Sequence, residues 1–563
     1  MRLKAIATAV NIGLLTMVAG NVSAQTISQI AQSNPLIITG AVGTQNTYRY
    51  STSGDGFSSP MSNSVYANLN INLYGISMPF SFCYTNSSLD FNHPHVAFSL
   101  TPSYKSWTGH FGLSSMDFSQ YVMNMSFNGI GLEYNDKNWR GGVFYGRLRS
   151  AVNDNPTDYY SRSPQYKRMG WGFKMGYTDG SKYFVDLYML RAYDCVSSLD
   201  EPLRIYTRPQ ESVVVGLKGG YTATNWLSFT ANAATSIFST DTQAGKASVA
   251  SSFDKVFDTR YSSLSRFAGD MNANFTLPYL NASLSYRIVQ PDYTSLGTYY
   301  MANNYQSLGL TASSFLFNKV AVSGSFSGQS DNLSDEQLYT THGYVYNLCA
   351  STRLTDNLNL SAMYNGYTQN QKDGTMRVSD STRVNRRMSS FSLMPSYTFE
   401  TPMLDHYVAL SLNYTENKNL NALATSESDV KTTALGLTYG VDVEPWGMDF
   451  AASLSHQKSR GYATTYLSDV CSLTANRSFL SDNSLNVSAT MSLCYNKIEG
   501  ERRAFSVGME CAASYVLDKV HVFSANAGIN RYGDATPTLT GMSTMGTDIT
   551  VSLNYAYTFS LMR

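Results

Sequence analysis

The chain has 563 residues, with 40 basic and 40 acidic side chains, 13% aromatic residues and only 14% charged ones, against about 25% charged in ordinary soluble domains. Zero net charge argues against a nucleic-acid footprint or a polybasic membrane patch. The six scattered cysteines (Cys83, Cys195, Cys349, Cys471, Cys494, Cys511) offer no CxxC pair, zinc spacing or small disulfide framework, and at most a single bridge between loops.

In chain order, Arg2 and Lys4 precede an apolar stretch from Ala5 to Val18, and Val22-Ser23-Ala24 supplies small residues at the −3 and −1 positions. This predicts a secretory signal peptide over 1–24, cleaved before Gln25. The apolar run is shorter than the roughly 20 residues a transmembrane helix needs. No second long apolar run follows, which excludes a helical inner-membrane protein. Residues 25–563 read as one domain dominated by period-two alternation, the strand signature. Five strands are expected at 36–49, 64–76, 78–85, 95–101 and 106–116, several of them short and broken by Pro79 and Pro102.

From residue 128 onward 21 further strands are expected. Trp171, Phe173, Met175 and Tyr177 alternate with Gly172, Lys174 and Gly176; Leu485 to Tyr495 and the final segment to Phe559 and Leu561 do the same. Many runs reach 11–15 residues, where about 9–11 cross a bilayer at a 45° tilt and sandwich strands average about 5–6. The expected fold class is therefore all-β: a large transmembrane antiparallel up-and-down β-barrel of 26 strands, within an even-numbered range of 22–26. Closure follows because lipid leaves an open sheet edge without partners. Tight turns are expected near 135–137, 178–181, 222–225, 278, 318–319, 355–357, 401–404, 442–445, 478–483 and 517–519, facing the periplasm together with both termini. Longer polar stretches near 150–166, 193–210, 239–262, 291–303, 329–339, 371–386, 419–428, 457–462, 497–502 and 532–544 face outside. The expected location is the cell outer membrane, with its lipid as surroundings and the assembly machinery engaged through the aromatic C-terminal strand. Only Gln25 to Pro35 precede the first strand, too little for a plug domain.

Several segments resemble a family of outer-membrane barrel proteins of the Bacteroidota for which no biochemical function is established. They are Asn68-Leu69-Asn70-Ile71-Asn72-Leu73-Tyr74-Gly75, Arg287-Ile288-Val289-Gln290-Pro291-Asp292-Tyr293 with Gly297-Thr298-Tyr299-Tyr300, and Ser552-Leu553-Asn554-Tyr555-Ala556-Tyr557-Thr558-Phe559. The resemblance implies a location and a fold, and no activity.

Catalytic and cofactor chemistry finds little support. His93-Pro94-His95 has no third His nearby in sequence, and loop histidines without a metal are the plainer reading; neither a Gly-x-Ser-x-Gly elbow nor a phosphate-cradling loop is present. No enzyme, cofactor or metal is expected. Parity places Lys174, Asp186, Lys218, Asp270, Arg287 and Glu510 opposite the apolar side chains, hence in the lumen, where structural pairing in a polar interior is the plainer reading than a binding site. Tyr293, Tyr299 and Tyr300 in an outer loop either anchor a protein or glycan partner, or pack as an aromatic girdle or inside the lumen.

An empty barrel of about 26 strands would breach the permeability barrier. The lumen is therefore expected to be filled by inward loops (239–262 being the longest), by the N-terminal segment 26–62, or by a protein partner in or over it. Two functions follow: an interaction scaffold or translocation channel for a partner or surface protein, and a substrate channel constricted by its own loops. The sequence reading favours the first narrowly.

Overall fold

The computed structural model describes residues 36–52, 60–86, 96–154, 162–247, 259–379, 383–421, 423, 429–461, 464–480, 482–498, 502–534 and 545–562. The signal peptide, its cleavage site and His93-Pro94-His95 lie outside them. The first strands are β1 (Leu36–Ser51), β2 (Met61–Leu73), β3 (Ile76–Thr85), β4 (Val96–Leu100 continued by Ser103–Tyr104), β5 (Trp107–Ser114), β6 (Phe127–Asn135), β7 (Trp139–Arg149), β8 (Lys167–Thr178) and β9 (Tyr183–Cys195). Then come β10 (Glu211–Thr224), β11 (Leu227–Ser239), β12 (Ser263–Leu277), β13 (Leu280–Val289), β14 (Tyr305–Leu316), β15 (Val320–Asp331), β16 (Tyr339–Arg353) and β17 (Leu358–Asp373). The rest are β18 (Asn385–Thr401), β19 (Leu404–Asn419), β20 (Val430–Val443), β21 (Met448–Arg460), β22 (Thr465–Phe479), β23 (Leu485–Ile498), β24 (Arg502–Leu517), β25 (His521–Asp534) and β26 (Met545–Met562).

Each strand pairs antiparallel with its sequence neighbours, and β1 closes on β26 from Ile37↔Met562 to Ser51↔Asp548. The result is a closed 26-stranded barrel with every ladder satisfied internally. Pro102 is what splits β4: it has no N–H for the ladder, and its carbonyl instead accepts the Gly109 N–H at 2.7 Å. Short turns gather at one end. Phe317-Asn318 and Asp518-Lys519 take positive φ at both residues, the hairpin geometry that matches strand twist. The long connections gather at the other end. Both ends of the described chain, Leu36 and Met562, lie at the short-turn rim.

The outer surface is an apolar band in which Tyr145, Leu217, Met271, Tyr344, Leu454 and Leu553 stand exposed, surface that water penalises and lipid accepts. All six cysteines are free.

Candidate functional site

The connection between β5 and β6, Ser115 to Ser126, is unlike the other loops in composition. Met116, Phe118, Tyr121, Val122 and Met123 are buried. They pack on Phe127, Phe144, Leu148, Tyr188, Leu190 and Val214, side chains of the inward face of β6–β10. The segment therefore folds into the lumen along the wall. Glycines provide the room. A Cβ on Gly142 would stand 2.6 Å from the Met116 methyl, and one on Gly216 would stand 2.7 Å from Val122.

The connection after β13 holds this segment in place from the long-loop side. The Tyr293 hydroxyl donates to the Tyr121 carbonyl at 2.9 Å and the Ser295 hydroxyl to the Val122 carbonyl at 2.6 Å. In return the Asn124 and Met125 amides both donate to the Gly297 carbonyl at 3.1 Å. Tyr293 is 1% exposed. Burial pushes its hydroxyl and that of Tyr121 above the ordinary range, so both stay protonated. This latch gives a direct expectation: Tyr293→Ala removes a buried aromatic worth about 3–5 kcal/mol. Amide exchange at Asn124 and Met125 should then quicken by at least about a hundredfold while the strand amides keep their protection. Tyr293→Phe, losing one hydrogen bond of about 1 kcal/mol, should have a much smaller effect.

Register brings five of the six expected lumen charges together. Arg140, Gly176, Asp186, Lys218, Asn232, Asp270 and Arg287 are successive opposite partners across β7 to β13. Opposite residues of an antiparallel pair share a face. Arg140 lies beside the short turns and Arg287 beside the long loops, so this row climbs the wall as a diagonal, and the Ser115–Ser126 segment runs along it. Lys174 donates to the Asp117 carbonyl at 3.1 Å and pairs with Glu133, which also holds His110 at 2.8 Å. Arg140 binds Asp186 at 2.9 Å. Ser119 donates to Asn232 at 2.8 Å and Gln120 to Asp270 at 2.9 Å.

Lys218 has no ion-pair or hydrogen-bond partner among the described residues. It lines a recess of about 510 Å³ with Phe118, Gln120, Phe184, Asn232 and Asp270. A second recess of about 260 Å³ lies between Asp117, Glu133, Arg140, Lys174 and Asp186. Glu510 is apart from all of these. It sits on β24, half the circumference away, where Asn526 donates to it at 2.8 Å.

Three expectations change. Tyr293 is no surface anchor: its ring is buried between the loop and the wall, whereas Tyr299 and Tyr300 are 56% and 84% exposed. The segment 26–62 does not fill the lumen over its described part, because Leu36–Ser51 is wall strand β1. The described parts of 239–262 sit at the rim, where Lys246 bridges to Arg260, Thr242 bonds to Pro209 and Asp241 meets Arg208 at 3.3 Å.

The inward segment 115–126 was not anticipated, although its signal was present. Phe118, Tyr121, Val122, Met123 and Met125 make it apolar where the other connections are polar, and glycines crowd β6, β7, β8 and β10. On the opposite wall the inward side chains Asn347, Ser351 and Arg353 are exposed, so among the described residues the loops line one side of the lumen and leave space on the other.

No protein-family model and no curated protein matches the chain. Solved structures similar to it include OccAB3 of Acinetobacter baumannii, at 13% identity and TM-score 0.31 over 68% of this chain and 98% of that one. The P pilus usher (PapC) translocation pore is similar at 10% identity and TM-score 0.35, covering 94% of this chain and 100% of that one. FpvA of P. aeruginosa, bound to a pyoverdine–iron complex, is similar at 10% identity and TM-score 0.37, over 93% and 72%. Likeness at this level extends to barrel architecture and no further.

Proposed function

We propose that the chain is an outer-membrane channel for small polar solutes, narrowed by its own segments 115–126 and 290–304, with the short turns and both termini periplasmic. The apolar outer band and closed ladder suit a membrane barrel. The observation that carries the reading is the latched pair of loops inside the wall, which among the described residues lines one side of the lumen and leaves polar space on the other. This favours the self-constricted channel over a scaffold whose lumen a partner must fill.

The solute path then passes the diagonal of Arg140, Asp186, Lys218, Asp270 and Arg287. Arg140 and Asp186 neutralise each other, and Asp270 faces Arg287, which leaves Lys218 to set the local potential. In planar bilayers under a salt gradient, Lys218→Glu should shift the reversal potential toward cation preference, with a fall in anion permeability. An unchanged reversal potential would mean that permeating ions do not pass this recess.

A further inference from the structure

Zero net charge predicted no polybasic patch, but the register assembles one on the outer face. At the long-loop end, six basic residues stand within three residues of their strand termini on neighbouring strands β18 to β23: Arg387, Lys418, Lys431, Lys458, Arg460 and Lys497. Their outward direction follows from the rows they share. Lys458 and Lys497 lie in one row with Phe391, Tyr414, Thr433 and Leu467, where Phe391 and Tyr414 are exposed at 43% and 41%. Lys431 and Arg460 are opposite partners one position nearer the loops on that face. Further from the rim come Leu437, Leu454 and Leu493, all exposed. An apolar band and then a rim of mixed aromatic and basic side chains thus follow one another outward.

Three carboxylates share this rim among the described residues, and one of them, Asp429, accepts the Asn419 amide at 2.7 Å. Glu416 meets Lys418 at 3.2 Å, Lys431 at 3.4 Å and Arg387 at 3.9 Å, one anion among three cations. Asp469 is engaged by His456 at 2.6 Å. Lys458, Arg460 and Lys497 have no ion-pair partner among the described residues. At the short-turn rim of the same strands the described residues include a single Lys or Arg, Arg477, whose guanidinium lies 4.6 Å over the Phe479 ring.

We propose that this belt binds the phosphorylated headgroup of a lipid in the leaflet that surrounds the long-loop end, with the acyl chains lying on the apolar band below it. Phosphate is the complement of clustered Lys and Arg, and the belt lies at and just beyond the row of rim aromatics, the headgroup level of a bilayer. A lipid, unlike a free anion, engages both the charges and the apolar surface. The inference rests on the membrane reading and is independent of the channel.

The test uses the full mature protein in phosphatidylcholine nanodiscs doped with diphosphorylated lipid A, with retained lipid counted by native mass spectrometry after detergent exchange. Wild type should retain lipid A, and the triple variant Lys431→Gln/Lys458→Gln/Lys497→Gln should retain it about a hundredfold more weakly. Lipid A stripped of phosphate should not be retained, and inorganic phosphate should not displace the intact lipid. Equal retention by wild type and a folded triple variant would overturn the proposal, as would retention of the phosphate-free lipid or displacement by inorganic phosphate alone. Folding is read from heat-modifiable gel mobility. The triple variant should keep wild-type conductance; failure to insert into bilayers at all would instead refute the membrane reading.

Discussion

Replacing Ser115 to Ser126 by a two-residue Asn-Gly turn should raise single-channel conductance several-fold while leaving the barrel folded. Ser114 and Phe127 already stand opposite each other in the β5–β6 register, and a two-residue turn closes such a hairpin without disturbing the ladder. The deletion removes six buried apolar side chains, five of which pack in the cluster with Phe144, Tyr188 and Val214, and opens the space they fill. It also uncovers those wall residues and deprives Tyr293 and Ser295 of their acceptors, so the segment 290–304 should lose its order in the same variant. Thermal stability should fall, because the wall exchanges apolar contacts for water. Conductance in planar bilayers is the decisive readout. A pore unchanged by the deletion would place the constriction elsewhere, and deletion of 241–260 provides the comparison, since the described parts of that loop sit at the rim.

Leu553→Arg should abolish insertion, and Asn554→Arg should not. Leu553 is 57% exposed on the outer band, midway along β26, where an arginine facing lipid costs about 2–4 kcal/mol. Tyr555→Arg should share the defect. It additionally removes the hydroxyl that meets His521 at 2.8 Å and the ring packed 5.0 Å from Phe523. Asn554 has the other parity, donating to Ser524 at 3.2 Å inside the lumen, where an added charge stays hydrated. The effect should be large because β26 supplies the closing seam: losing it leaves β1 and β25 each with an open edge. Heat-modifiable mobility after refolding into lipid should show the two outward variants unfolded and the inward one folded. Equal behaviour of all three would refute the assigned faces of this strand.

The fold was legible because its cause is local. Period-two alternation, as in Leu485 to Tyr495, needs nothing beyond each strand's own residues to define two faces. Turn residues such as Asn318 and Asp518-Lys519 mark hairpin ends wherever they fall in space. The 26 strands, the alternation of short and long connections and the parity of Lys174, Asp186, Lys218, Asp270 and Arg287 all follow from that. In the N-terminal stretch Pro102 interrupts β4 as expected, whereas β3 runs unbroken through Pro79, which stands opposite Asn70.

The site was not legible, because it depends on juxtapositions that no single strand encodes. Asp186 faces Lys218 because β9 and β10 pair in one register and no other; a slip of one residue would part them. The apolar character of 115–126 could be read, but its destination could not, since the glycines that admit it belong to β7, β8 and β10. The balance of 40 basic and 40 acidic residues likewise concealed an outer belt gathered from β18 to β23. By itself, then, the sequence determined the strands, their two faces and the closure that lipid demands. Tertiary structure alone decided which loop occupies the lumen and which charges meet, because strand register and barrel curvature set distances between residues hundreds of positions apart, and backbone alternation carries no information about those distances.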